Sequence, residues 1–331
     1  MQNLRFLVTG AAGFLGTRLC ERLLSEGIEV HATSRARQTS RNHLLRWWQT
    51  DLLEYSSVQR LFDEIRPDIV IHLAGQVTAA PDLSLVLPMF HSQLGGTLNV
   101  LVASTKSGCR RVIATGSSTE PALDDAAPTP GSPYAAAKWA ATGYAGMFHA
   151  LYQTPVVVVR PFMTYGPGQH GTKVVPYVIN SLLQGNTPLL SSCVWEVDWV
   201  FVDDIVAAFL LAATRAGIDG CSIDLGSGTL TSIRDVVRSI VQLTNAQIDP
   251  QFGALPDRPG QRTRIADTEY ARATLGWSAV TSLDDGLAAT VQWYRSQLEE
   301  NREVEAPGHS YATERVAGTQ EVRLLGRGAC S

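Results

Sequence analysis

The chain has 331 residues and a mass of 35.8 kDa, which suits two domains or one large α/β unit with an elaborated half. Apolar residues make up 45%, and 27 basic side chains face 31 acidic ones, a balance that excludes a nucleic-acid binder working by phosphate neutralisation. No run approaches the ~18–20 apolar residues of a membrane helix. The N-terminus lacks the basic leader of a signal peptide. Cys20, Cys109, Cys193, Cys221 and Cys330 lack disulfide or metal spacing, so a cytoplasmic, reducing setting and no metal site are expected. Among the basic residues only Lys106, Lys138 and Lys173 are lysines, so the position of each amine carries information.

In chain order, LRFLVT (4–9) reads as a strand, and 14–26 as a helix with Leu15, Leu19, Leu23 and Leu24 on one face. Strand 28–34, a short third strand near Leu44–Trp48, and helix 54–65 follow. Pro67 ends that helix before strand DIVIHLAG (68–75). Helix 91–108, strand 109–117, helix 134–152 and strand 155–160 complete the series. The strands are continuously apolar, as in a parallel sheet buried on both faces, and the alternation predicts a Rossmann-type doubly wound α/β fold. Residues 1–160 are expected to form the dinucleotide-binding domain. Residues 161–300 are expected to form a smaller, discontinuous lobe that returns to the main sheet at about 197–226. Asp203 or Asp204 suits a helix N-cap there. Residues 301–331 read as a flexible tail, with 314–325 able to add a strand.

Gly10, Gly13, Phe14, Leu15 and Gly16 lie between the first strand and the first helix. Glycines there let a pyrophosphate approach the backbone, and the helix N-terminus supplies amides and partial positive charge. At the end of the second strand, where NAD-preferring sheets carry an acid, stand Ser34, Arg35 and Arg37. Two guanidiniums suit a 2′-phosphate, so NADPH is favoured over NAD. Asp51, followed by Leu52, either accepts from the adenine amino group or caps the next helix. Leu73, Ala74 and Gly75 are small enough to let the cofactor pass.

Ser117 ends a strand, and Tyr134 and Lys138 are four residues apart at a helix start, so phenol and amine share a face. The amine is expected to pull the phenol toward neutrality, readying it to exchange a proton with a carbonyl or alcohol oxygen that Ser117 also holds. His72 reads as a satisfied core histidine, and His91, His149, His170 and His309 have no ligand spacing.

The motifs TGAAGFLG (9–16), DL (51–52), IVIHLAG (69–75), GTLNVL (96–101), GSS (116–118), SPYAAAK (132–138), RPFMTYGPGQ (160–169), WVFVDDI (199–205), DLGSGTLTS (224–232), DRPG (257–260) and LGW (275–277) resemble the extended short-chain dehydrogenase/reductases of the nucleotide-sugar epimerase/dehydratase/reductase type. The resemblance implies that Ser117, Tyr134 and Lys138 are catalytic, with Ser118 as the alternate serine. It implies that Arg160, Pro161 and the 161–171 loop border nicotinamide and substrate, and that Arg258 meets the substrate's diphosphate. Thr119, His170, Trp195 and Trp199 join Ser118 as substrate candidates, Trp199 being at least as well suited to the core. Helices 91–108 and 134–152 resemble the pair through which relatives dimerise, with Val102, Ala141 and Ala145 as contacts. Two departures stand out: Val197 replaces an arginine before the Asp-aromatic pair, and LLSSCVWE (189–196) replaces a glycine-rich turn.

Dehydratases of this family place acids directly after the catalytic Ser/Thr, where this chain has Ser118 and Thr119, with Glu120 one residue late. Epimerases recycle NAD, which the two arginines disfavour. RVIATGSSTE (111–120) resembles the corresponding stretch of 4-ketoreductases. The expectation is therefore NADPH-dependent reduction of a nucleotide-activated 4-keto-6-deoxysugar. A nucleotide-sugar epimerase retaining NAD is the alternative, and a 4,6-dehydratase or a non-catalytic binding protein ranks lower.

Overall fold

A computed structural model describes residues 4–121, 128–259 and 262–305, so the expected strand at 314–325 and most of the expected tail lie outside the described residues. Contacts divide the chain into one unit ending at Arg295 and a second beginning at Ser296. The elements are β1 (Phe6–Thr9), α1 (Phe14–Ser25), β2 (Val30–Ser34), β3 (Leu45–Gln49), α2 (Tyr55–Ile65), β4 (Ile69–His72), α3 (Val86–Met89), α4 (Gly96–Ser107), β5 (Arg111–Thr115) and α5 (Pro133–Tyr152). Then come β6 (Val156–Pro161), β7 (Met163–Tyr165), α6 (Val174–Leu183), β8 (Glu196–Phe201), α7 (Val202–Thr214), β9 (Ser222–Leu225), β10 (Leu230–Ser232), α8 (Ile233–Thr244), α9 (Thr268–Leu275) and α10 (Leu283–Glu305).

Seven parallel strands form the main sheet in the order β3-β2-β1-β4-β5-β6-β9. Side chains alternate between its faces. Phe6 and Val8 join one core with Leu19 and Leu23 of α1 and Phe209 of α7, whereas Leu7 joins another with Phe62 of α2, Leu101 of α4 and Phe148 of α5. Residues 222–225 supply the expected return to the main sheet. Residues 196–201 instead pair with β7 and β10 in a three-stranded sheet, which builds a separate core with α6 and α8.

The structure corrects three expectations. Neither Asp203 nor Asp204 caps α7, whose N-cap position is Phe201; Asp203 pairs with Arg18, and Asp204 accepts from the Val280 and Thr281 amides. The helix expected at 91–108 starts earlier, passing from α3 through a π-helical segment, Phe90–Gly95, into α4. The resulting helical run, Leu83–Ser107, is long and apolar enough by composition to cross a membrane; here Met89, Val100 and Leu101 are buried in the body of the protein.

Candidate active site

β1 runs into Gly10, which has φ 69° and whose Cβ would lie 2.7 Å from the Ala74 nitrogen. Only glycine lets the turn pass the end of β4 this closely. A Cβ on Gly16 would lie 2.2 Å from the Gly10 carbonyl oxygen, so helix and strand touch through backbone. α1 starts after Gly13 with no side-chain cap and no acid in its first turn, leaving its leading amides without a competing side chain. Phe14 and Leu15 are half-buried beside them. A dinucleotide pyrophosphate fits this turn.

Along the same carboxyl edge, Ser34 ends β2 and its hydroxyl accepts from the Ala36 amide, while Gln49 holds the Arg35 carbonyl. The Arg35 and Arg37 side chains are exposed. Asp51 is exposed and accepts from the Leu53 amide; the N-cap position of α2 is Glu54, so Asp51 does not cap that helix. Leu73 and Ala74 are half-buried and Gly75 is exposed. Beneath them His72 is held between the Thr9 and Thr97 hydroxyls at 2.8 and 3.0 Å, and burial pushes it down to about 3, the neutral core histidine expected.

Ser132 caps α5 by accepting from the Ala135 amide, and Pro133 opens the helix, which places Tyr134 in the first turn and Lys138 one turn on. Both side chains are buried. Lys138 Nζ donates to the Thr115 carbonyl at 2.6 Å, and burial pulls its ammonium down to about 8. The Tyr134 phenol is pushed up to about 12, chiefly by burial; the Ser117 hydroxyl opposes this and the Glu120 charge adds to it. The expectation of a phenol drawn toward neutrality is thus reversed in the free protein, because loss of water outweighs the Ser117 hydrogen bond.

Arg160 forms an ion pair with Asp224 at 2.7 Å, and Pro161 follows it, half-buried, at the end of β6. Ser118 is half-buried and Thr119 exposed, with the Thr119 hydroxyl 2.9 Å from Ser117 Oγ. His170 is exposed, its Nδ1 3.0 Å from the Thr172 hydroxyl. Trp195 is half-buried against the second core. Trp199, for which the sequence left both a substrate and a core role open, is a core residue, 4% exposed, donating to the Thr231 carbonyl and packed edge-on against Tyr165. Ala141 and Ala145, expected at a partner's surface, are buried within the chain.

Three residues here were given no role at the site from the sequence. Glu120 Oε1 accepts the Ser117 amide proton at 2.6 Å. Arg264 donates to the carbonyls of Ser118 and Glu120 across 146 and 144 residues, a separation that leaves no local signal. Lys173, at the N-cap position of α6, is half-buried, and burial and the neighbouring Arg258 charge both lower it. Its scarcity as an amine was the only hint.

The chain matches the description "NAD dependent epimerase/dehydratase family" over residues 6–226. It belongs to that family. A UDP-glucose 4-epimerase from Mycolicibacterium smegmatis is 33% identical over 317 residues, covering 89% of this chain and 99% of the relative. A dTDP-glucose 4,6-dehydratase from Haemophilus influenzae is 26% identical, covering 88% and 98%. The crystal structure of the Thermus thermophilus UDP-glucose 4-epimerase in complex with NAD superimposes with TM-score 0.78 at 26% identity, covering 88% of this chain and 99% of that one.

The epimerase/dehydratase family is thereby established, and with it an oxidoreductase that binds NAD(P). The expected NADPH-dependent 4-ketoreductase is overturned: the similar proteins are epimerases and dehydratases, and solved relatives hold NAD. Arg35 and Arg37 at the end of β2 carried that expectation. Both side chains are exposed, and exposed arginines there do not by themselves define a phosphate pocket.

Proposed function

We propose that the protein is a nucleotide-sugar 4-epimerase that retains NAD through each turnover. The observation that carries this reading is the catalytic loop itself. Dehydration calls for acids free to work on the substrate beside the serine. Here Ser118 and Thr119 fill those places, and the nearby carboxyl, Glu120, is buried and engaged by the Ser117 amide. Beyond a hydride carrier and room for the keto sugar to present its other face, epimerisation needs a group that takes one proton and returns it. Tyr134 serves as that group, Ser117 holds the same sugar oxygen, and Lys138 supplies the positive charge that steadies the phenolate. The hydride acceptor and donor for C4 would be supplied by a bound nicotinamide.

The α1 N-terminus with Gly10, Gly13, Phe14, Leu15 and Gly16 would hold the pyrophosphate. Asp51 and Leu52 would border the adenine, and Leu73, Ala74, Gly75, Arg160 and Pro161 the nicotinamide half. Ser34, Arg35 and Arg37 would meet the adenosine ribose and are compatible with either NAD or NADP. Arg258 and Lys173, close enough for one charge to depress the other, would grip the substrate diphosphate. Two copies would pair through the exposed face of Leu83–Ser107 and α5.

Incubation with NAD and UDP-glucose, followed by proton NMR and absorbance at the reduced-nicotinamide band, tests the proposal. The expected result is a growing C4-epimer signal with no net change in reduced cofactor. Loss of water from the sugar, or stoichiometric consumption of reduced cofactor with a keto sugar, overturns it. Titration with NAD and NADP in parallel measures the cofactor choice.

A further inference from the structure

Glu120 has no role in the scheme above, yet it is among the most deeply buried charged residues of the chain, at 1% exposure. Its Oε1 accepts from the Ser117 amide, while its Oε2 is buried with no hydrogen-bond partner. Gly116 makes room for it: a Cβ there would lie 2.7 Å from Glu120 Oε1. Its own backbone is tied from the opposite lobe, since Arg264 donates to the Glu120 carbonyl. The positive charges nearby do not neutralise it by direct contact. Lys138 spends a donor on the Thr115 carbonyl, and Arg160 is paired with Asp224. The carboxyl thus takes the backbone amide of the candidate catalytic serine at one oxygen, and its burial raises it.

We propose that Glu120 is a positioning residue of the reaction centre, anchoring the Ser117 backbone and placing a titratable negative charge beside Tyr134 and Lys138, so that proton exchange at the phenol is tied to the state of this carboxyl. The inference rests on the Tyr134–Lys138 reading given above. The groups facing Glu120 are Tyr134, Lys138 and the Thr142 hydroxyl on α5, and Arg160 on β6, itself paired with Asp224 of β9. His72 on β4 is neutral and faces Lys138. Burial raises the carboxyl, with the Thr142 hydroxyl, the Ser117 amide and the Arg160 and Lys138 charges opposing. When ionised, Glu120 raises Tyr134 and Lys138 together. Phenol and amine therefore hold their protons more tightly while the carboxylate is charged, and release them more easily once it is neutral.

Glu120→Gln keeps the acceptor for the Ser117 amide and removes the charge. Ultraviolet difference titration of each protein against its Tyr134→Phe counterpart isolates the phenolate of Tyr134. The expected midpoint in Glu120→Gln lies about half a pH unit or more below wild type. Glu120→Asp, which keeps the charge, should restore it most of the way. The pH profile of turnover should move in the same acid direction, with kcat changed more than KM. A merely structural role predicts an unchanged midpoint, and that result overturns the proposal. Should the Gln variant not fold, NMR of wild-type protein labelled at glutamate carboxyl and tyrosine ring carbons reads the same coupling. The resonance absent in Tyr134→Phe must respond as a buried glutamate titrates, and an indifferent resonance overturns the proposal. None of these titrations needs a sugar nucleotide, so failure of the epimerase assay and failure of this inference are separately visible.

Discussion

Lys138 and Tyr134 are each held away from their ordinary ionisation by burial, and the two are displaced in opposite directions, to about 8 and about 12. Tyr134→Phe removes the proton carrier, and turnover should fall roughly 10²–10⁴-fold with folding intact, read by steady-state rates and circular dichroism. Lys138→Met carries a different signature. The folded protein binds this proton more weakly than the unfolded chain, whose ordinary value is 10.5, so stability is fully present above 10.5 and lost as pH falls through about 8. The Met variant escapes that loss: its Tm should exceed wild type at pH 7, with the gap closing by about pH 10.5, while turnover is lost. Thermal melts across this range check the sign. The spacing of Tyr134 and Lys138 was legible because i and i+4 share a helix face whatever surrounds them. The direction of the Tyr134 displacement and the contact of Arg264 with residue 120 were not, because each depends on partners tens to hundreds of residues away.

At the scale of elements, the site depends on how strands end and helices begin. Gly16→Ala would force a methyl to 2.2 Å from the Gly10 carbonyl oxygen, backbone against backbone. Displacing α1 in this way should cost about 1–3 kcal/mol of stability by chemical denaturation and weaken dinucleotide binding, measured by calorimetry. Ser132→Ala removes the α5 cap and should cost about 1 kcal/mol, with the Tyr134 turn the first to fray in hydrogen exchange. The middle of the main sheet was readable because β1, β4, β5 and β6 each carry an unbroken run of three or four apolar residues. The small sheet was not. Its three-residue strands β7 and β10 have no periodicity of their own and exist through pairing with β8. The π-helical segment before α4 likewise leaves no local trace, although it sets Gln93 against Gly75 at the cofactor edge.

For the whole molecule, Leu83, Leu87 and Phe90 (86, 66 and 50% exposed) are accompanied on the neighbouring α5 by the exposed side chains of Tyr144, Leu151 and Tyr152. Side chains of this kind left in water favour a second copy as their cover. Light scattering should give a mass near twice 35.8 kDa for wild type, and Leu87→Asp with Phe90→Asp should shift it to the monomer while leaving cofactor binding in place. The central claim, that hydride leaves and returns at C4 within one bound sugar, is tested most directly by a label. UDP-glucose carrying deuterium at C4 is incubated with the protein and NAD, and the epimer is analysed by NMR and mass spectrometry. The account predicts that the epimer retains the deuterium at C4 with no accumulation of reduced cofactor. Washout of the label into solvent, or its recovery in free reduced cofactor beside a keto sugar, would contradict it.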